Sequence, residues 1–223
     1  MKKAKVVTES GMIIESSEVV GTPRKLIVNN NFHIVGLDYS VNSPGVASIK
    51  INKKFEPKNL NVIIFNTEKK KTNWEYENLT RYFIKPKYEN SIIKFDFMSD
   101  KIMEHIDDSD VVGIEGYSFG SKGQGLTSIH ESTGLMKYKL WKRDILFNVF
   151  APKLIKKFAS DNGNANKPKM LEAANKFFKI DLMKYYNIKA NDKVIYDIVD
   201  SIWICKYIYD EVKNNKFIEK YSF

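Results

Sequence analysis

Cysteine is nearly absent from this 223-residue chain, with Cys205 the single example. One thiol cannot close an intramolecular disulfide or furnish a cysteine-rich zinc site, so a disulfide scaffold is excluded and a reducing compartment is expected. Long apolar runs are also missing. The stretch from Ile198 to Cys205 is short and interrupted by Asp200, well below the roughly 20 residues that span a bilayer. A membrane partner is therefore not expected. Arginine is scarce as well, at Arg24, Arg81 and Arg143, so the cations are overwhelmingly lysines. Lysine is a point charge without arginine's bidentate fork, and suits phosphate contact better than the reading of base edges.

Hydrophobic residues make up 43% of the chain and aromatic residues 13%, which excludes a disordered or collagen-like protein and leaves enough apolar material for a core. The net charge of +9 makes a polyanionic partner worth considering, with nucleic acid ahead of lipid. A lysine-biased codon composition would produce the same surface with no such partner.

Residues 1–31 read as an N-terminal extension. Glu9, Glu15 and Glu18 lie within it, unlike the acid-poor transit peptides. From Phe32 the pattern is ordered. His33 to Ser40 and Val46 to Ile51 read as strands joined through Asn42-Ser43-Pro44-Gly45, and Asn61 to Asn66 supplies a third. Residues 69–94 are polar, aromatic-rich and without a clear period, and are read as an insertion after the third strand. Phe97, Ile102, Met103 and Ile106 have helical spacing, and Val111 to Glu115 reads as a buried fourth strand. A glycine cluster follows (Gly116, Gly120, Gly123, Gly125). The remaining expectations are a helix over about 126–141, a fifth strand over 145–150, a short lysine-bearing helix, a loop over 161–166, a helix over 168–178 and a long helix over 194–214. The helix-then-strand rhythm predicts an α/β fold with a mixed five-stranded sheet flanked by helices.

Four carboxylates stand out. Asp38 and Glu115 each end a buried strand, and Asp197 and Asp200 sit at i and i+3 near the start of the last helix, on one side of it. Strand ends are where α/β sheets bind ligands. Carboxylates brought together repel and stay ionised only if cations neutralise them, and oxygen ligands favour Mg²⁺ or Mn²⁺. Two ions about 3.5–4 Å apart would suit cleavage of a phosphodiester. Taken singly, Asp38 could be a turn residue and Asp197 a helix cap. Glu115 is harder to dismiss, because a glutamate closing a Val-Val-Gly-Ile run is otherwise a costly half-buried charge.

Five segments, Gly36-Leu37-Asp38-Tyr39-Ser40, Val112 to Tyr117, Ala151 to Lys157, Gly163 to Lys167 and Asp197 to Ser201, together resemble the RuvC-type Holliday junction resolvases, most closely their divergent phage and viral branch. The resemblance spans about Ile34 to Tyr207 in the family's order. It implies an RNase H-like fold over 32–223, and an endonuclease that resolves four-way and other branched DNA as a homodimer by paired symmetric nicks. It also implies two Mg²⁺ or Mn²⁺ ions per site on Asp38, Glu115, Asp197 and Asp200, with Lys167 as a basic residue beside them. Tyr117 and Phe119 lie near the place where the family has a junction-opening aromatic. Tyr39-Ser40 replace the Pro-Gly usual in the bacterial enzymes. Gly-Leu-Asp-Tyr also looks like the opening of the YqgF-type ribonucleases, and a non-catalytic junction-binding protein is a further reading. The expected location is the cytoplasm, of the host cell or a viral replication site if the chain is viral.

For DNA contact the candidates are Lys122 within the glycine cluster, Lys153, Lys156 and Lys157 on one helix face, and Lys167 and Lys169 beyond the Asn-Gly loop. A mobile loop and a solvated helix face are the plainer readings of these two groups. Ile129, Thr133, Met136 and Leu140 form a stripe that is either a dimer interface or a face packed on the sheet.

Overall fold

The computed structural model describes residues 4–7, 13–16, 28–67, 73–84, 88–106, 108–116 and 124–214. Within the N-terminal segment β1 (Ala4–Val7) and β2 (Ile13–Ser16) pair antiparallel with each other. The main sheet starts with β3 (His33–Asp38), β4 (Gly45–Lys50) and β5 (Asn61–Thr67), an antiparallel meander with the expected hairpin between its first two strands. Next come β6 (Trp74–Tyr76), β7 (Leu79–Ile84), α1 (Ser91–Ile106), β8 (Val111–Glu115), α2 (Gln124–Lys142) and β9 (Leu146–Phe150). The chain then turns helical, through α3 (Pro152–Ser160), α4 (Lys167–Phe178), α5 (Leu182–Tyr185) and α6 (Val194–Lys213). The strand order is β6-β7-β5-β4-β3-β8-β9, with β8 parallel to β3, β9 parallel to β8 and β7 parallel to β5. Among the described residues no helix is long and apolar enough to cross a membrane.

The mixed α/β expectation holds, but the main sheet has seven strands instead of five. Much of the stretch read as an insertion is sheet: β6 and β7 form a hairpin that extends the edge beyond β5, and α1 begins inside the same stretch at Ser91. The hairpin lacks the usual Asn-Gly or Asp-Gly signature, because Glu77 itself takes the positive φ of 51° that the tight turn demands. Asn78 beside it donates side-chain hydrogen bonds to the carbonyls of Pro57 and Leu60, which anchors the turn.

The central strands β3, β4, β5 and β8 alternate their side chains between two helical layers. On one face Val35, Leu37, Val112 and Ile114 pack with Met98, Ile102, Met136 and Leu140 of α1 and α2. The α2 stripe is thereby accounted for: Thr133, Met136 and Leu140 are buried within the chain, so that face is not open to a second copy. On the other face Ile34, Val62, Ile64 and Val111 pack with Ile195, Ile198, Ile202 and Cys205 of α6.

α6 comes unusually near the sheet backbone. A Cβ on Gly36 would lie 2.2 Å from the Cys205 amide nitrogen and 2.5 Å from the Ser201 carbonyl oxygen. One on Gly45 would lie 2.7 Å from the Asp197 carbonyl oxygen. Only hydrogen fits at these places, so helix and sheet are locked together at the end where β3 stops. Gly36→Ala is expected to destabilise the protein by about 1–3 kcal/mol, since the helix must lift from the sheet. Gly134→Ala on α2, where a Cβ meets nothing within 4 Å, should instead stabilise by roughly 0.5–1 kcal/mol. Urea denaturation of both variants checks the pair, and a Gly36→Ala protein as stable as wild type contradicts this packing.

Candidate functional site

Strand alternation puts Asp38 two residues beyond Gly36, on the face that α6 covers. β8 runs parallel to β3 with Ile114 opposite Leu37, so Glu115 leaves the sheet beside Asp38, at the same end and on the same face. α6 crosses there with its first turns, whose Asp197 and Asp200 point to one side. The four carboxylates come from three elements and meet where the helix is pinned.

A cation completes the group. The Asn166 side chain caps α4 by accepting from the Lys169 amide at 3.1 Å, which starts the helix at Lys167. The Lys167 ammonium lies 3.2 Å from Asp197 Oδ1 and 3.7 Å from Asp200 Oδ2. Lys156 on α3 is near enough for its charge to be felt by Glu115 and Asp200.

Electrostatically the site is frustrated. Burial, reinforced by repulsion from Glu115, Asp200 and Asp197, holds the Asp38 carboxyl well above the usual range, with Lys167 opposing. Burial and then Asp200 push Glu115 up to about 7. Asp200 is raised to about 6 by burial, against the pull of Lys167. Burial alone would lower Lys167, but Asp197 and Asp200 hold it above the ordinary lysine value. Four carboxylates thus face two ammonium groups, and the ionised cluster carries an excess of negative charge. An all-oxygen, electron-rich donor set of this kind suits a hard divalent cation. Among the described residues no three histidine, cysteine, aspartate or glutamate side chains are yet close enough together to hold a metal ion, and Lys167 supplies the nearest counter-charge.

The structure thus brings Asp38, Glu115, Asp197, Asp200, Lys167 and Lys156 together. It separates the other lysines from them: Lys153 and Lys157 are exposed on α3, and Lys169 lines a groove with Phe177 and Trp203 between α3 and α4. Tyr117, Phe119 and Lys122 lie outside the described residues. The sequence reading passed over Ser43, Asn66 and Arg81. Ser43 Oγ donates to Asp197 Oδ2 at 2.7 Å, Asn66 Nδ2 donates to Ser43 Oγ at 3.0 Å, and Arg81 Nε donates to Asn66 Oδ1 at 2.9 Å. Two signals were present: Ser43 and Asn66 flank the same sheet end as Asp38, and Arg81 is a rare residue type here.

No protein-family model matches the chain, and no curated protein matches it in sequence. Solved structures do match. The Thermus thermophilus RuvC structure aligns with a TM-score of 0.54 and 10% identity, covering 84% of this chain and 99% of that one. T. thermophilus RuvC in complex with Holliday junction substrate gives a TM-score of 0.54 at 8% identity, covering 84% and 98%. The fowlpox virus Holliday junction resolvase gives 0.41 at 12% identity, covering 81% and 99%. The chain therefore has a RuvC-like fold of the RNase H type, built on a sheet of seven strands.

The frustration has a measurable consequence in metal-free buffer. A carboxyl whose folded pKa is raised binds more protons in the native than in the unfolded state. Its contribution to stability is then lost as pH rises from the ordinary value toward the folded one. For Glu115, between 4.5 and about 7, this amounts to roughly 3 kcal/mol, shared among coupled neighbours. Glu115→Gln should match wild type near pH 4.5 and become progressively more stable than it up to pH 8. Thermal melts of the two proteins across that range test this, and a difference that stays flat with pH contradicts it.

Proposed function

We propose that this chain is a divalent-metal-dependent endonuclease that cuts branched DNA, with the four-way junction as its main substrate, and that it works as a homodimer. The observation that carries this reading is the convergence of Asp38, Glu115, Asp197 and Asp200 at the strand ends of a RuvC-like sheet, with Lys167 at the rim. The two full-length structural neighbours support it, because both are RuvC and one was solved with a Holliday junction substrate.

In this reading Asp38, Glu115, Asp197 and Asp200 would hold two Mg²⁺ or Mn²⁺ ions. When bound, such ions supply a Lewis acid for the scissile phosphate and lower the pKa of the attacking water. The chain's own residues do the rest. Asp38 is enclosed and repelled by three neighbours, so it gains most from a cation and is assigned the central ligand position. Lys167 is more than half exposed, at 55%, and can turn from the aspartates toward a phosphate. Lys156 sits beside the carboxylates and is assigned to the reacting phosphate, while exposed Lys153, Lys157 and Lys169 are assigned to flanking phosphates, where they contribute affinity and no sequence preference. Tyr117, Phe119 and Lys122 follow Glu115 directly in sequence and are assigned to the junction. The dimer follows from the chemistry: resolution needs two symmetric nicks, and each chain carries one carboxylate cluster.

Cleavage of matched four-way, three-way, flap and linear DNA, together with an RNA–DNA hybrid, tests the proposal in Mg²⁺ and in EDTA. The expected result is a pair of symmetric nicks in the four-way junction, dependent on metal. Asp38→Asn should abolish cutting and leave junction binding intact, since one repulsive charge is gone. Cleavage in EDTA, a preference for the hybrid or for linear duplex, or near-normal cutting by Asp38→Asn would each overturn it.

A further inference from the structure

Arg81 is a buried charge, 5% exposed, on a strand at some distance from the carboxylates. Its guanidinium is spoken for on two sides. Nη1 and Nη2 donate to Asp192, at 2.7 and 3.4 Å, and Nε donates to Asn66 Oδ1 at 2.9 Å. Asp192 in turn accepts from the Val194 amide at 3.1 Å, so the arginine also ties β7 to the first residue of α6.

The hydrogen bonds beyond Arg81 run one way. An amide whose oxygen is turned to an arginine presents its NH₂ on the other side, and Asn66 Nδ2 donates to Ser43 Oγ at 3.0 Å. A hydroxyl that accepts from an amide turns its own hydrogen elsewhere, and Ser43 Oγ donates to Asp197 Oδ2 at 2.7 Å. The chain of donors starts at a fixed positive charge and ends on a carboxylate. Oδ2 of Asp197 is thereby occupied, and Oδ1 is the oxygen that faces Lys167 at 3.2 Å.

We propose that Arg81, Asn66 and Ser43 are positioning residues that hold Asp197 in the one orientation presenting Oδ1 to the carboxylate cluster, and that they thereby set its affinity for a divalent cation. The proposal rests on the nuclease reading and adds to it a use for β7, the strand that extends the sheet beyond β5. Outer hydrogen bonds to a ligating carboxylate commonly govern metal affinity by about 10–100-fold.

Two variants separate this role from a merely structural one. Ser43→Ala removes the last donor. Asn66→Asp keeps the acceptor for Arg81 but cannot donate, and it draws the Ser43 hydrogen away from Asp197. It also adds a negative charge, which by simple attraction would tighten cation binding, whereas loss of the relay weakens it. The measurement is Mn²⁺ affinity of the DNA-free protein by calorimetry, with metal-free thermal melts run in parallel. Ser43→Ala and Asn66→Asp should each bind Mn²⁺ about tenfold or more weakly, at unchanged metal-free melting temperature, and Ser43→Thr should restore wild-type affinity. Wild-type affinity in both Ser43→Ala and Asn66→Asp, or tighter binding in Asn66→Asp, overturns the relay alone. A wild-type protein that binds no Mn²⁺ overturns the nuclease reading and the relay together.

Discussion

Everything at the candidate site depends on how closely α6 lies on the sheet. With hydrogens at Gly36 and Gly45, the helix backbone touches the strands directly, and its first turns come to rest where the end of β3 pairs with the start of β4, Asp38 opposite Gly45. An interposed side chain would lift the helix by more than an ångström. Asp197 and Asp200 would then no longer share a pocket with Asp38 and Glu115. The apolar residues of α6, from Ile195 to Ile208, hold the contact with their buried area, and the glycines determine its depth.

That closeness creates an electrostatic conflict which the chain only partly relieves. Lys167 and Lys156 neutralise some of the charge, and burial favours protons on the remainder. Such sites cost stability, and they persist where the strain serves a ligand. The Arg81–Asn66–Ser43 chain fits the same economy of charge. It brings the influence of a distant, well-compensated cation to Asp197 without adding a third ammonium group to Lys167 and Lys156 at the cluster.

The sequence carried much of this arrangement in readable form. Short apolar runs bounded by turn residues marked β3, β4, β5 and β8, and the i, i+3 spacing marked the aspartate pair, because both are properties of a single element. What depends on tertiary contact was harder to read. β7 was hidden because Arg81 occupies an inward-facing position that is normally apolar, and its charge makes sense only once Asp192 and Asn66 are beside it. The β6–β7 turn was hidden because it uses Glu77 where glycine is usual. Lys153, Lys156 and Lys157 look equivalent on a helix, yet Lys156 alone is drawn toward the carboxylates, since α3 turns that face inward. The α2 stripe suited an interface or, as is commoner for such a helix, a face packed on the sheet, and only the burial of Met136 and Leu140 against the sheet and α1 distinguishes the two.

The central claim is that pinning α6 to the sheet builds one divalent-cation site from three elements. The direct measurement is anomalous X-ray diffraction at the manganese edge from crystals of the protein soaked in Mn²⁺. The account predicts an anomalous peak bonded to Asp38 and to carboxylates of both β8 and α6. A saturated soak with no peak between Asp38, Glu115, Asp197 and Asp200, or with manganese held elsewhere and Lys167 still paired with Asp197, would contradict it.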